Sequence, residues 1–345
     1  MIVVNRKCRK DEEVGDKQKE ERTYNIVNSV KGGCGKTTFS IWLAFYLNNY
    51  ASDYTKGASC IIDMDLQGSS MVSLFHGSDA NEKEYNYLHE WIRGYYAKGI
   101  NFIQQVYSKG LGEISVIFSS PRQEDKNLYC AGARSNYSPV LEYGTFRLGI
   151  QRLLKEENEF KARKFKHIIF DMPPNTDGYS DSVLDCVLNP KYIVKDDKFK
   201  NQINLFMMLT VNISHLDATT NWLRELYTES NNNVPDQLFI VFNNNIVSEN
   251  SEEKFLKICQ NRMKVIKDVL LQLSIPEEYK KRIFFCVMNR NISFADYCAE
   301  GKGLELCEDS LLLDSSSFAK YAVCGDSEFK DITPEEFEKL ILGRE

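Results

Sequence analysis

Short apolar runs recur along the chain, each cut off by glycine or polar residues, and longer stretches with helical spacing lie between them. Residues 24–30, 59–62, 113–118, 167–170, 205–209, 238–242 and 283–287 are rich in apolar, β-branched and aromatic side chains and predict strands. The run 39–50 (FSIWLAFYLNNY) is apolar nearly all round, as expected of a helix buried against a sheet. Stretches 146–160 and 214–227 repeat their apolar positions three and four apart, and helices are also expected over roughly 251–273. Six or seven strands alternating with helices predict an α/β fold: a three-layer, doubly wound, mostly parallel sheet flanked by helices, with ligands outside the carboxyl ends of its strands. No internal repeat is visible.

Three regions depart from this alternation. Residues 5–22 are almost wholly charged or polar and lack periodicity, so 1–22 is expected to be a flexible charged arm. A single domain is expected over 23–330, interrupted near 79–112, where only 87–96 has a helical face, and near 189–203. In 331–345, Phe337, Leu340 and Ile341 stand at helical spacing, which predicts a short helix docked on the protein's own core.

Composition narrows the class without naming the chemistry. At 345 residues, 43% apolar and 12% aromatic, the chain has material for a sizeable core. No stretch approaches the roughly 20 apolar residues of a membrane span, and the first residues lack the apolar core of a signal peptide, so a cytoplasmic location is expected. The ten cysteines are scattered with no C-x-x-C pair, which argues against a zinc site or a disulfide framework and for small buried hydrophobes. A net charge of −6 offers nucleic acid no whole-molecule attraction, so any contact would need a local basic patch.

The chemistry concentrates where the first strand breaks, at Lys31-Gly32-Gly33-Cys34-Gly35-Lys36-Thr37-Thr38. Gly32, Gly33 and Gly35 can take positive φ and turn main-chain N–H groups inward, and a helix opening near Lys36 adds its positive dipole end. Such a loop cradles phosphates, with Lys36 reaching the β/γ-phosphates and Thr37 placed to bind Mg²⁺. The usual G-x-x-x-x-G-K-[ST] pattern fails at its first glycine, where Val30 stands, and a second lysine, Lys31, opens the loop instead. A plain glycine-rich turn would explain the break but not eight residues in register between a strand and a helix.

This stretch resembles the deviant Walker A motif of the ParA/MinD family of ATPases, and the resemblance runs from about residue 24 to 303. It implies a P-loop ATPase that takes ATP and Mg²⁺, with Lys31 as the lysine that reaches across a homodimer to the partner's nucleotide. Further along, Asp63-Met64-Asp65-Leu66-Gln67-Gly68 is similar to the family's D-x-D-x-Q-G segment, implying that Asp65 positions or activates the attacking water and that Asp63 helps hold Mg²⁺. Asp171-Met172-Pro173-Pro174 after an apolar strand looks like its Walker B segment, implying a carboxylate beside the Mg²⁺ bound by Thr37. Gly178, just beyond, is a looser match to a glycine that senses the γ-phosphate. Asn243, Asn244 and Asn245 occupy the position from which the family presents an asparagine to adenine, and which of the three does so stays open. Residues 289–303 look like the stretch that lies against the base and the dimer surface.

A lysine delivered in trans can supply roughly 10³ to 10⁵ in rate, about 4 to 7 kcal/mol, judged by arginine fingers. The resemblance therefore implies slow hydrolysis tied to an ATP-closed homodimer and stimulated by an adaptor protein. ParA-like members also bind DNA non-specifically, for which Lys254, Lys257, Arg262 and Lys264 are the candidates, joined by Lys267, Lys280, Lys281 and Arg282. Interspersed acids such as Glu252, Glu253 and Asp268 equally fit an ordinary solvated helix face. Residues 334–345 carry four glutamates against one lysine and one arginine, a balance that an anionic membrane repels. Cysteines that iron–sulfur or scaffold relatives require are absent. A nucleotide-dependent binding switch, and behind it a biosynthetic enzyme of the dethiobiotin synthetase type, stand as alternatives to partition or cargo positioning.

Overall fold

The computed structural model describes residues 20–49, 59–68, 70–77, 85–93, 101–109, 112–126, 139–155, 165–173, 178–189, 199–229, 234–243, 252–273, 275–288, 303–304, 320–323, 329–331 and 333–343. In chain order these form β1 (Glu20–Asn28), α1 (Lys36–Asn49), β2 (Ser59–Asp63), α2 (Ser70–His76), α3 (Leu88–Ile92), β3 (Gln104–Ser108), β4 (Gly112–Ile117), α4 (Gln123–Lys126) and α5 (Pro139–Lys155). There follow β5 (His167–Asp171), α6 (Gly178–Leu188), β6 (Phe199–Thr210), α7 (Ile213–Glu229), β7 (Gln237–Asn243), α8 (Glu252–Gln272), α9 (Glu277–Lys280), β8 (Ile283–Met288), β9 (Lys320–Val323), β10 (Lys330–Asp331) and α10 (Pro334–Ile341).

The strands join one ten-stranded sheet in the order β10-β9-β8-β7-β6-β1-β5-β2-β4-β3. From β8 to β4 all neighbours run parallel, and antiparallel strands add only at the two edges, where β3 pairs β4, β9 pairs β8 and β10 pairs β9. Chain connections leave the central β1 in opposite directions, toward β5-β2-β4 and toward β6-β7-β8, which makes its carboxyl end the crevice where such sheets bind ligands. The doubly wound, mostly parallel α/β sheet expected from the pattern is the one observed.

Apolar side chains alternate between the faces of the sheet. Ile26, Ile62, Phe170 and Leu205 face a core shared with α3, α5, α6, α7 and α8. Val27, Ile61, Ile169 and Phe206 face one shared with α1, α2 and α10. The all-round apolar character of α1 is explained by cover on both sides. Phe39 packs on Phe206 of the sheet, while Trp42 and Tyr46 meet Phe337 of α10 with ring centroids 5.9 and 5.6 Å apart. Helix α10 starts on a capping box between Thr333 and Glu336 and ends with the Ile341 carbonyl accepting from Asn204 Nδ2 at 2.9 Å. Phe337 and Ile341 are buried, as the docking expectation required.

Several boundaries differ from the expected ones for identifiable reasons. Strand β1 starts at Glu20, inside the stretch expected to be an arm, because Glu20–Arg22 pair with Phe199–Asn201. Strand β6 is longer than its apolar run: Asn204, though polar, is fully buried and bonds Asn25 and the end of α10, so it belongs to the sheet. In the 79–112 region the expected helix is short, at Leu88–Ile92, and β3 was hidden by its composition, QQVYS, in which only Val106 supplies apolar contact.

Candidate P-loop nucleotide site

The register of the sheet brings the site together. Val27 pairs Asp171, and Asp171 pairs Asp63, so the carboxyl ends of β1, β5 and β2 lie side by side. Two carboxylates from distant parts of the chain thus meet at the base of the loop that follows β1. The ends of β6 and β7 are aligned the same way, with Thr210 beside Asn243.

Within the loop, Gly33 and Gly35 adopt positive φ, 74° and 82°, whereas Gly32 does not. Lys31, Gly32 and Gly33 are exposed, while Cys34 and Lys36 are buried. Lys36 lies inside the cradle, its Nζ donating to Ser29 Oγ at 3.1 Å. Burial lowers its pKa, partly offset by the Asp171 charge. Ser29 Oγ in turn donates to the Lys31 carbonyl at 2.7 Å, so one serine ties the inward lysine to the backbone of the outward one.

Thr37, at the start of α1, donates to Asp171 Oδ2 at 2.7 Å, and Ser40, one turn later, donates to Asp171 Oδ1 at 3.0 Å. Burial pushes Asp171 up to about 6 against the opposing pull of Thr37, Lys36 and Ser40. Asp63 accepts from both the hydroxyl and the main-chain N–H of Ser119 and, through Oδ1, from the N–H of Asp65 at 3.1 Å. Its pKa is raised well above the usual carboxylate range by burial, then by the negative charges of Asp171 and Asp65. Two buried carboxylates in mutual repulsion beside a threonine hydroxyl form an all-oxygen donor set, with Lys36 the positive charge that acts on Asp171. That set fits Mg²⁺, a hard cation.

Asp65 is half-buried, and its Oδ1 accepts from the Gly68 N–H at 2.7 Å. A Cβ at position 68 would run into the Asp65 carboxylate, so the glycine provides the seat on which that carboxylate rests. Asn243 reaches the loop from the end of β7, donating from Nδ2 to the Cys34 carbonyl at 2.9 Å. It is thus placed at the glycine-rich loop after β1, with its amide N–H engaged by protein. Asn244, Asn245 and the 289–302 stretch lie outside the described residues. Gly178 opens α6, and 174–177 before it also lie outside.

Sequence reasoning missed the supporting polar groups. Ser40 lies three residues after Thr37 on the same helix face and was discoverable from spacing. Ser119 and His215 were not, since only the fold brings them in. His215, near the start of α7, places Nδ1 3.3 Å from Cys34 Sγ and 3.0 Å from Thr210 Oγ1. Burial, then the Lys31 charge, lowers its pKa. The neutral ring therefore accepts at Nδ1 from the Thr210 hydroxyl or the Cys34 thiol. Of the DNA candidates, Lys254, Lys257 and Lys264 are exposed on α8, opposite its buried Phe255, Cys259 and Met263. Arg262 is half-buried, with its Nε lacking a partner among the described residues.

Solved structures share this fold. The ATP complex of a McdA variant from Cyanothece matches with a TM-score of 0.53 at 16% identity over 95% of this chain and 98% of that one. The chain has a ParA/MinD-like fold. Apo McdA from the same source matches at a TM-score of 0.50 and 16% identity, covering 83% of this chain and 92% of that one. The ParA of pNOB8 matches at 0.50 and 15%, covering 76% and 74%. No protein-family model and no curated protein sequence matches the chain. Among the described residues no helix is long and apolar enough to cross a membrane.

Proposed function

We propose that this chain binds ATP with Mg²⁺ in the loop after β1 and hydrolyses it slowly, as a nucleotide-dependent homodimer of the ParA type. The observation that carries this reading is the junction of Thr37 and Ser40 on Asp171, directly behind an inward-pointing Lys36. A phosphate-binding loop needs its lysine, its metal-side hydroxyl and its Walker B carboxylate within reach of one another.

In this reading the loop N–H groups and Lys36 hold the β- and γ-phosphates. Thr37, Asp171 and Asp63 would hold Mg²⁺, which when bound would neutralise phosphate charge. Asp65, steadied by Gly68, orients the attacking water and draws off its proton as the water oxygen bonds to the γ-phosphorus and the bond to the ADP oxygen breaks. Exposed Lys31 is available to a second chain, where its charge would offset that developing on the leaving oxygen. Partition or positioning of a cargo, with an adaptor that stimulates turnover, is the role such a timer suits. The exposed lysines of α8 offer a face for non-specific DNA contact.

Phosphate release and light-scattering mass, each with ATP and Mg²⁺, test the proposal. Wild type is expected to dimerise and turn over, Lys36→Ala to lose nucleotide binding, and Asp65→Ala to dimerise without hydrolysis. A Lys31→Ala chain that binds ATP yet dimerises and hydrolyses like wild type would remove the dimer-coupled mechanism. A gel shift at low salt, with and without the Lys254→Ala/Lys257→Ala/Lys264→Ala changes, decides the DNA reading.

A further inference from the structure

At the edge of the sheet opposite the P-loop lies a cavity of about 680 Å³, between the amino-terminal ends of β6, β7 and β8 and the end of α10. Its lining separates by chemistry. Lys200, Lys281 and Arg282 are exposed around its mouth, and among the described residues none has a carboxylate within ion-pairing distance. Deeper, Gln237 is 6% exposed and its Oε1 has no hydrogen-bond partner among the described residues. The side chain of Gln237 leaves β7 on the same face as Phe239, the face that Phe284 and α10 share, which turns it toward the cavity. Beside it, Asp236 accepts from the Ile203 N–H through Oδ2 at 2.8 Å, leaving its other oxygen without a partner among the described residues. Arg282 and Lys200 are close enough to Asp236 to pull against the rise that burial gives its pKa. Glu278 is the remaining acid at the cavity and is exposed.

One buried, unsatisfied acceptor at the floor, Gln237 Oε1, with the half-buried Asp236 carboxylate beside it and cations free of ion pairs at the mouth, selects a molecule with hydrogen-bond donors at one end and an anion at the other. A buried acceptor left unpaired is costly, so a ligand that supplies its donor gains what the free protein lacks. We infer that this cavity binds a nucleoside monophosphate, base donors meeting Gln237 and Asp236 and the phosphate meeting Lys281, Arg282 and Lys200. The volume lies within the usual range for small-molecule sites. The site is separate from the P-loop and does not depend on ATP hydrolysis there.

Equilibrium dialysis of labelled GMP, AMP and ribose 5-phosphate against the full chain tests the assignment. GMP or AMP is expected to bind wild type, and Lys281→Ala/Arg282→Ala to weaken that binding at least tenfold. Gln237→Leu is expected to weaken it similarly while the chain melts at the same or a higher temperature, because an apolar side chain of similar size removes the unpaired acceptor. Both variants should bind a fluorescent ATP analogue at the P-loop as wild type does. Absence of GMP and AMP binding at millimolar concentration overturns the inference, as does binding that both variants leave unchanged. Ribose 5-phosphate binding as tightly as the nucleotides also overturns it, since the floor acceptors would then read no base.

Discussion

Replacing Gly35 with alanine should cripple the P-loop, by an amount that depends on Asn243. Gly35 has φ 82°, where an L side chain costs roughly 1–2 kcal/mol. Its added Cβ would also collide with the Asn243 amide, which donates to the Cys34 carbonyl. Displacing that amide loses one hydrogen bond, about 1 kcal/mol. The sum, about 2–3 kcal/mol, corresponds to roughly 30- to 150-fold weaker nucleotide binding if the strain falls wholly on the bound loop. Asn243→Ala alone should cost about 1 kcal/mol, and in its background Gly35→Ala should cost only the backbone strain. The pair is thus expected to couple by about 1 kcal/mol, read from titrations of a fluorescent ATP analogue on the four chains. Strict additivity would refute the brace between β7 and the loop. The same titrations with a GTP analogue address the base-reading role of Asn243: a brace weakens both nucleotides alike, whereas an adenine reader changes their ratio.

Other outcomes follow from single contacts. Gly68→Ala should push the Asp65 carboxylate off its seat and lower the turnover of ATP with little change in its affinity, measured by kcat against a binding titration. His89 accepts from the Ser120 N–H at Nδ1 and donates to the Leu66 carbonyl from Nε2, so it is held neutral, and burial brings its pKa down to about 4. His167, fully buried, is brought down to about 3. Each folded value lies below the unfolded one, so stability is complete above about pH 6.5 and falls as pH drops toward 4, by about 1.4 kcal/mol per histidine at pH 5.5. Urea midpoints at the two pH values, with and without His89→Gln, should show the variant losing less on acidification. Phe337→Ala should cost about 3 kcal/mol or more in urea unfolding, because the ring fills the space between Trp42, Tyr46 and Phe239.

The ParA/MinD-like fold was legible because its strong signals are local. Strand β1 breaks into glycines at Gly32, Gly33 and Gly35, and the buried strands β2, β5 and β7 are short apolar runs that end on polar residues, while β8 is apolar throughout. Asp63 and Asp171 could be nominated because each directly follows such a run, and a parallel sheet delivers those positions to one edge, while Lys36, Thr37 and Asp65 were nominated from the motifs in the turns just beyond. Strands with mixed composition were not legible. Gln104–Ser108 and the first half of β6 are polar on paper and belong to the sheet only because neighbours supply their hydrogen bonds and cover.

What only the tertiary structure decided is the set of partners. Ser119 on Asp63, Asn243 on the Cys34 carbonyl and His215 against the Cys34 thiol join residues 56, 209 and 181 positions apart, and no periodicity reports such separations. The same holds for the cavity under α10, whose lining comes from five separate elements, β6, β7, α9, β8 and α10. Sequence by itself determined which strand ends carry the glycine, lysine and aspartate residues of the candidate site, because turns and apolar runs are encoded within a few residues. Which polar groups support that chemistry, and where unpaired ones collect, depends on strand order and helix docking, which are settled by packing across the whole sheet.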